Sequence, residues 1–453
     1  MTADDPCVGC ASCVTACPVA AADGGFGGPK ALGPAFCRGL DGGWPGNPGL
    51  GPAEAAALGA GACIQCHRCD LACPMGLPVS DFTRRAKALL LSRPGAPYAR
   101  YVARLLAEQE ALGRFIATMR LPRRLAHRLA PGLARGAERL GLQAFGLSPR
   151  RSLPSPPART FEVPSSDGLA GSRDRPTVLL YAGCHVRFYD PAVGHAAAGV
   201  LRAAGYRVKV PAQVCCGSPA LSEGREDLAV EAARANLRLL DQAVARLSES
   251  QGVEPAIVSP CPSCTLALRR QFPDLVAGPA AAHLASLVWD LGEFLSGPAR
   301  PRLVEAVQRA REVVPPDPLG GRGKGQARPA SGTDSASGPV LWTHHASCHL
   351  RALGSGRPLA ELLKALGVGL PVDGGPAVDG CCGMGGLAGL KAAEHDRSLA
   401  VGSPVLRAYE ALGQDVLVLS ECPMCRWQIS DATGLWSLHP VEVLAGLLGA
   451  PSA

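Results

Sequence analysis

A chain of 453 residues is too long for one compact core, and its length predicts about three domains. Its 47% of hydrophobic residues is ordinary for a globular protein and excludes global disorder. A formal charge of +7, with no recognised nucleic-acid-binding fold beside it, predicts no nucleic-acid partner.

The first feature along the chain is C-x2-C-x2-C-x3-C-P, present twice: Cys7, Cys10, Cys13, Cys17 and Pro18, then Cys63, Cys66, Cys69, Cys73 and Pro74. This is the bacterial ferredoxin run that holds cubane 4Fe–4S clusters, and in two-cluster ferredoxins the fourth cysteine of each run serves the other cluster. The expected ligand sets are therefore Cys7, Cys10, Cys13 and Cys73 for one cluster, and Cys63, Cys66, Cys69 and Cys17 for the other. Paired zinc knuckles are the bland alternative, since C-x2-C also suits tetrahedral zinc. Each oxidised cubane bound by four thiolates carries about two net negative charges, so the loaded protein is less basic than its count. Cys37, between the two runs, reads as an ordinary loop cysteine. The C-x2-C spacing and a start, MTADDPC, that is neither basic nor apolar predict thiols kept in the reducing cytoplasm rather than secreted disulfides. No apolar run approaches the roughly 18–20 residues of a membrane-spanning helix.

Residues 1–92 thus form a two-cluster module, followed at 93–147 by a basic helical segment. From Arg93 to Arg151 stand twelve Arg, no Lys and three acids, with apolar residues such as Val102, Leu105, Leu112, Phe115, Leu125, Leu129 and Leu133 at helical spacing. Pro122 and Pro131 divide it into short helices. A basic amphipathic helix suits an anionic membrane surface or a docked partner, or else packs its apolar face into the core. Pro, Ser and Arg then mark 148–175 as a linker, and LGGRGKGQARPASGTDSASG marks a second, flexible one at 313–338.

The regions 176–312 and 339–453 carry the same ordered cysteine pattern. The first reads Cys184, Cys215-Cys216-Gly217, Cys261-Pro262-Ser263-Cys264; the second reads Cys348, Cys381-Cys382-Gly383, Cys422-Pro423-Met424-Cys425. Offsets of 164, 166 and 161 residues mark a duplication. Apolar runs in PTVLLYAGC, PAIVSPC, PVLWTHHASC and DVLVLSEC predict buried strands, and the stretches between them predict helices. Alternating strands and helices imply a parallel sheet with its functional groups beyond the carboxyl ends of the strands, where these cysteines fall. Glycine after each cysteine pair is expected to let backbone approach a cluster. A lone C-P-x-C is also a redox dithiol signature.

The pattern C…CCG…C-x2-C, twice, resembles the cysteine-rich CCG domains of the heterodisulfide reductase family, and CCGMGG at Cys381–Gly386 and YDP at Tyr189–Pro191 extend the likeness. The ferredoxin module joins it through CPVA at Cys17–Ala20, GGPKALGP at Gly27–Pro34 and CIQCHRCDLACPMGLPVSDFTRRAKA at Cys63–Ala88, which resemble the iron–sulfur subunits of anaerobic glycerol-3-phosphate dehydrogenases. The resemblance implies a helical two-cluster module followed by two α/β CCG domains. It also implies five-cysteine sites at Cys184, Cys215, Cys216, Cys261 and Cys264 and at Cys348, Cys381, Cys382, Cys422 and Cys425. Each is expected to hold a further 4Fe–4S cluster, of non-cubane form in some relatives, with zinc or a cubane as alternatives. His345-Ala346-Ser347-Cys348-His349 departs from the family's usual His-Asp-Pro-Cys-His, which puts the local turn in question; its two histidines either tune the cluster or are structural.

By that resemblance the protein relays electrons from a flavoprotein subunit, glycerol-3-phosphate dehydrogenase first among candidates, toward quinone, peripherally at the inner face of the cytoplasmic membrane. No G-x-G-x-x-G follows a strand, so flavin or nucleotide chemistry is expected in another chain. The alternatives are reduction of a small disulfide at a CCG cluster, an iron–sulfur subunit of glycolate or lactate oxidation, and a redox sensor.

Overall fold

The computed structural model describes residues 7–36, 52–91, 130–152, 159–162, 175–313, 340–373 and 379–450, with single positions or pairs between 113 and 129 and at 157. Cys37, most of 93–129 and nearly all of 313–338, with the expectations placed on them, lie outside the described residues.

The N-terminal module is built from short helices because its cysteine runs are dense with tight turns. Helices Ser12–Thr15 and Arg68–Leu71 each begin after a non-glycine residue in the left-handed region, Ala11 (φ 62°) and His67 (φ 59°). The two residues occupy the same position in the two runs, directly after the second cysteine, so both loops share one backbone course. Pro18 opens helix Pro18–Ala22, where its missing N–H leaves no bond unmade. The longer helix Val79–Leu91 closes the module over a core of Val19, Phe26, Leu32, Phe36 and Ala86.

Each repeat forms a four-stranded, all-parallel sheet. The first joins β1 (Thr177–Leu180), β2 (Arg207–Lys209), β3 (Ala256–Ser259) and β4 (Val288–Asp290) in the order β2-β1-β3-β4. The second joins β5 (Leu341–His344), β6 (Leu370–Pro371), β7 (Leu417–Leu419) and β8 (Ser437–Leu438) in the order β6-β5-β7-β8. Registers such as Leu179↔Ile257 and Thr343↔Val418 place equivalent residues side by side. Every residue of β1 and β7 is buried, as expected for parallel strands covered on both faces.

The repeats pack reciprocally. Helix Pro191–Ala203 of the first lies on Pro440–Leu447 of the second, while Leu291–Ser296 of the first lies on Pro358–Ala365 of the second. One core runs across both, with Val200, Leu201 and Phe294 meeting Leu359, Leu363, Val441 and Leu444. The helices after β4 and β8 both open on a capping box, Asp290 with Glu293 and His439 with Glu442. Arg426 donates to Asp190 across the seam at 2.8 Å.

Two stretches behave differently from their composition. Residues 148–152, expected to be linker, are docked: Arg151 is buried, pairing with Asp431 at 3.1 Å and donating to the Gly389 carbonyl at 3.0 Å. Phe161 is buried too, against the first repeat. In the basic segment, helix Pro131–Ala144 does begin at its proline, yet Leu133 and Leu140 are 79% and 69% exposed, so that helix does not turn these leucines into the core.

Candidate iron–sulfur sites

Both four-thiol sets expected from the ferredoxin runs meet in space. Cys7, Cys10, Cys13 and Cys73 line one small cavity, beside Lys30, Pro34 and Val79. Cys17, Cys63, Cys66 and Cys69 line another, beside Phe26, Ile64 and His67. The exchange of fourth cysteines follows from the helices: Cys17 and Cys73 each leave their own run and enter the other's cavity. The first site is the more open, with Cys10 exposed and held below the ordinary thiol range by the Ser12 hydroxyl at 3.3 Å. The second is interior, and burial pushes the Cys66 thiol up to about 12 and Cys69 higher still.

The five-cysteine sets gather at the carboxyl rims of their sheets. In the first, the Cys215 and Cys184 sulfurs are 3.6 Å apart, and the Cys264 thiol interacts with those of Cys216 and Cys261. In the second, the Cys382 and Cys425 sulfurs are 3.3 Å apart, the Cys425 thiol also interacts with that of Cys422, and Cys348 feels the charge of Cys422 and Cys382. The glycines after the cysteine pairs also meet a helix. Gly217 (φ 83°) would set a Cβ 3.2 Å from Ala229 on helix Glu226–Gln251, and a Cβ on Gly383 (φ 88°) would collide with the Ser398 carbonyl on helix His395–Ala411. They let the cysteine loop lie flat on the following helix.

The missing Asp-Pro before Cys348 is compensated locally. Ser347 caps helix Cys348–Leu353, its side chain accepting from the Leu350 N–H at 3.2 Å, so the turn that aims Cys348 is kept. His349 bridges three parts of the chain: its ring contacts the Ser263 hydroxyl at 2.7 Å and, through Nε2, the Gln65 carbonyl at 3.3 Å. Its ring also meets His67 edge-on at 5.6 Å, and burial lowers its pKa to about 4. His345 is fully buried beside Cys382, Cys425 and Tyr409.

These contacts bring the interior ferredoxin-type site against the cysteine-rich sites. Ile64 packs on Gly385, Lys87 donates to the Cys63 and Ser222 carbonyls at 3.1 and 2.6 Å, and Arg84 pairs with Glu226. A cavity of about 150 Å³ lies at the junction, lined by Cys66, by Cys184, Cys216, Cys261 and Cys264, and by Cys348, Cys381, Cys382, Cys422 and Cys425. Nothing in the cysteine pattern pointed to Ile64, Gln65, Lys87 or Ser263, whose roles depend on how the three modules dock.

The donor sets fit iron–sulfur clusters. Four or five soft sulfur atoms converge at each site, most of them buried in the five-cysteine sets, and burial drives thiols such as Cys348 well up. So many buried thiolates require compensating positive charge, which a thiolate-ligated metal centre supplies.

Comparison with known families agrees. Residues 4–77 match the 4Fe-4S dicluster domain, and residues 178–269 and 342–430 each match the Cysteine-rich domain known as CCG. The chain belongs to the iron–sulfur electron-transfer proteins that join one dicluster domain to two CCG domains. It is 27% identical to a subunit of the anaerobic glycerol-3-phosphate dehydrogenase of Escherichia coli, over 99% of both chains. It is 23% identical to a subunit of the fumarate reductase (CoM/CoB) of Methanothermobacter marburgensis, over 97% of this chain and 70% of the relative. To lactate utilization protein A of Macrococcus caseolyticus it is 27% identical, over 59% of this chain and 95% of the relative. The dicluster and CCG domains carry 4Fe–4S clusters. No helix among the described residues is long and apolar enough to cross a membrane.

Proposed function

We propose that this chain is the electron-relaying subunit of a respiratory dehydrogenase, taking electrons from a flavoprotein that oxidises glycerol 3-phosphate and delivering them toward quinone. Cys7, Cys10, Cys13 and Cys73 hold one cubane and Cys63, Cys66, Cys69 and Cys17 the other, while the five-cysteine sets hold further clusters. When bound, these clusters supply one-electron carriage. The polypeptide supplies spacing and dryness: Ile64 against Gly385 and Lys87 between Cys63 and Ser222 fix the module on the repeats, and His349 closes the junction. The single observation that carries the reading is that Cys66 shares one cavity with cysteines of both repeats, so three of the four thiol sets adjoin.

The complex sits peripherally at the inner face of the cytoplasmic membrane. Exposed Leu125, Leu129, Leu133 and Leu140, beside exposed Arg128, Arg135 and Arg139, supply an apolar and cationic surface suited to anionic lipid or a partner.

The test is anaerobic co-purification from the native host, followed by reduction of a quinone analogue with glycerol 3-phosphate, glycolate or lactate. Cluster reduction by glycerol 3-phosphate supports the reading; reduction by a 2-hydroxy acid alone reassigns the donor. A second reading, reduction of a small disulfide, is favoured by the thiols of both repeats facing one cavity; reduction of a disulfide substrate without quinone would select it.

A further inference from the structure

The two cysteine-rich sites are built on one plan but differ in the residue three positions before the first cysteine. The first repeat has Tyr181 there and the second has His345, 164 residues on, each directly after its strand. Both side chains reach the same thiols of their sets. Tyr181 senses Cys216 and Cys264, and His345 lies by their counterparts Cys382 and Cys425.

The phenol is committed elsewhere, because the Tyr181 hydroxyl donates to the Val214 carbonyl at 2.7 Å. The imidazole is placed otherwise. A ring nitrogen of His345 and the sulfurs of Cys382 and Cys425 all lie within 4.8 Å of one another, a spread that one ion's ligands span. The residue is 0% exposed, and Nδ1 meets the Tyr409 hydroxyl at 3.1 Å. A buried partner on one ring nitrogen is the arrangement that orients metal-bound imidazoles and aims the other nitrogen at the ion.

We propose that His345 is a nitrogen ligand of the second cysteine-rich site, which is a mixed imidazole–thiolate centre where the first is thiolate only. Tyr409 is its positioning residue. The inference rests on the reading that the second site carries iron. The second site is also the set whose Cys348 and Cys381 feel Cys66 of the interior ferredoxin-type site.

The experiment uses the full chain, purified anaerobically with its clusters and grown on histidine labelled with 15N in the imidazole. Pulsed electron paramagnetic resonance is recorded in dithionite-reduced and dye-oxidised samples. The expected result is a strongly coupled 15N, retained in Tyr181→Phe and lost in His345→Gln, with iron and sulfide beyond those of the N-terminal module still present in both. If His345→Gln loses its iron, the labelled wild type alone decides. Coupling of the weak kind that an N–H···S bond gives, or no coupled nitrogen in either state, overturns the proposal. Iron limited to about eight atoms per chain would instead overturn the cluster reading beneath it.

Discussion

Gly385 is a point where the N-terminal module and the second repeat press together, and replacing it by Ala tests whether that docking is structural. The residue sits at φ 57°, and a Cβ there would stand 2.6 Å from Cγ2 and 2.7 Å from Cβ of Ile64. Holding a non-glycine residue in the left-handed region costs about 1–2 kcal/mol. Carbon–carbon contacts settle near ~3.5–4.0 Å, so Ile64 must retreat by about 1 Å, and overpacking of that kind costs about 1–3 kcal/mol more. Gly413→Ala separates the two costs, since Gly413 has φ 86° but open space around its Cβ position. Urea denaturation of the loaded protein should find Gly385→Ala less stable than Gly413→Ala by about 1–3 kcal/mol. Electron equilibration between the N-terminal module and the second repeat should slow in the first variant alone. Equal stability of the two variants, within about 0.5 kcal/mol, would mean that Ile64 does not press on Gly385.

Substituting Ser for Cys216 or for Cys382 should abolish one cysteine-rich cluster signal while sparing the N-terminal signals; retention of every signal would count against five-thiolate ligation. Arg151→Ala leaves the half-buried Asp431 without its cation and the Gly389 carbonyl without its donor, and should cost about 1–3 kcal/mol in urea denaturation, although residue 151 lies in a stretch that reads as linker. His439 accepts from the Val441 N–H at 3.0 Å and donates to the Pro260 carbonyl at 2.9 Å, and burial holds its pKa down to about 4. The unfolded chain therefore takes the proton first, so stability is full above about pH 6.5 and falls as pH drops toward 4. Between pH 7 and pH 5 this amounts to about 2 kcal/mol, read as wild type minus His439→Gln; an identical pH dependence in the variant would reject the assignment.

What could be read from the sequence was whatever a local spacing encodes. The two C-x2-C-x2-C-x3-C runs and their exchange of Cys17 and Cys73, the duplicated five-cysteine pattern, and the buried strands β1, β3, β5 and β7 all leave short, repeated signatures. Strands β2, β4, β6 and β8 have only two or three residues each, too short for a periodic signal. Docking left no signature either. Nothing near Ser263 or Gln65 announces His349 as their common partner, and an Arg in a Pro- and Ser-rich stretch gives no hint of Asp431, 280 residues away. The glycine of each CCG motif was legible as a backbone requirement, but the helix that its Cβ position would meet was not. Ser347 shows the same limit from the other side, since a family motif was lost while the helix start it served survived through a different cap.

Iron and acid-labile sulfide measured on protein isolated without oxygen, together with its resonance spectrum after dithionite, test the four-site account most directly. About sixteen iron atoms per chain are expected, with spectra from both the N-terminal module and the cysteine-rich repeats. A colourless protein, silent after dithionite, or one holding zinc in place of iron, would contradict it.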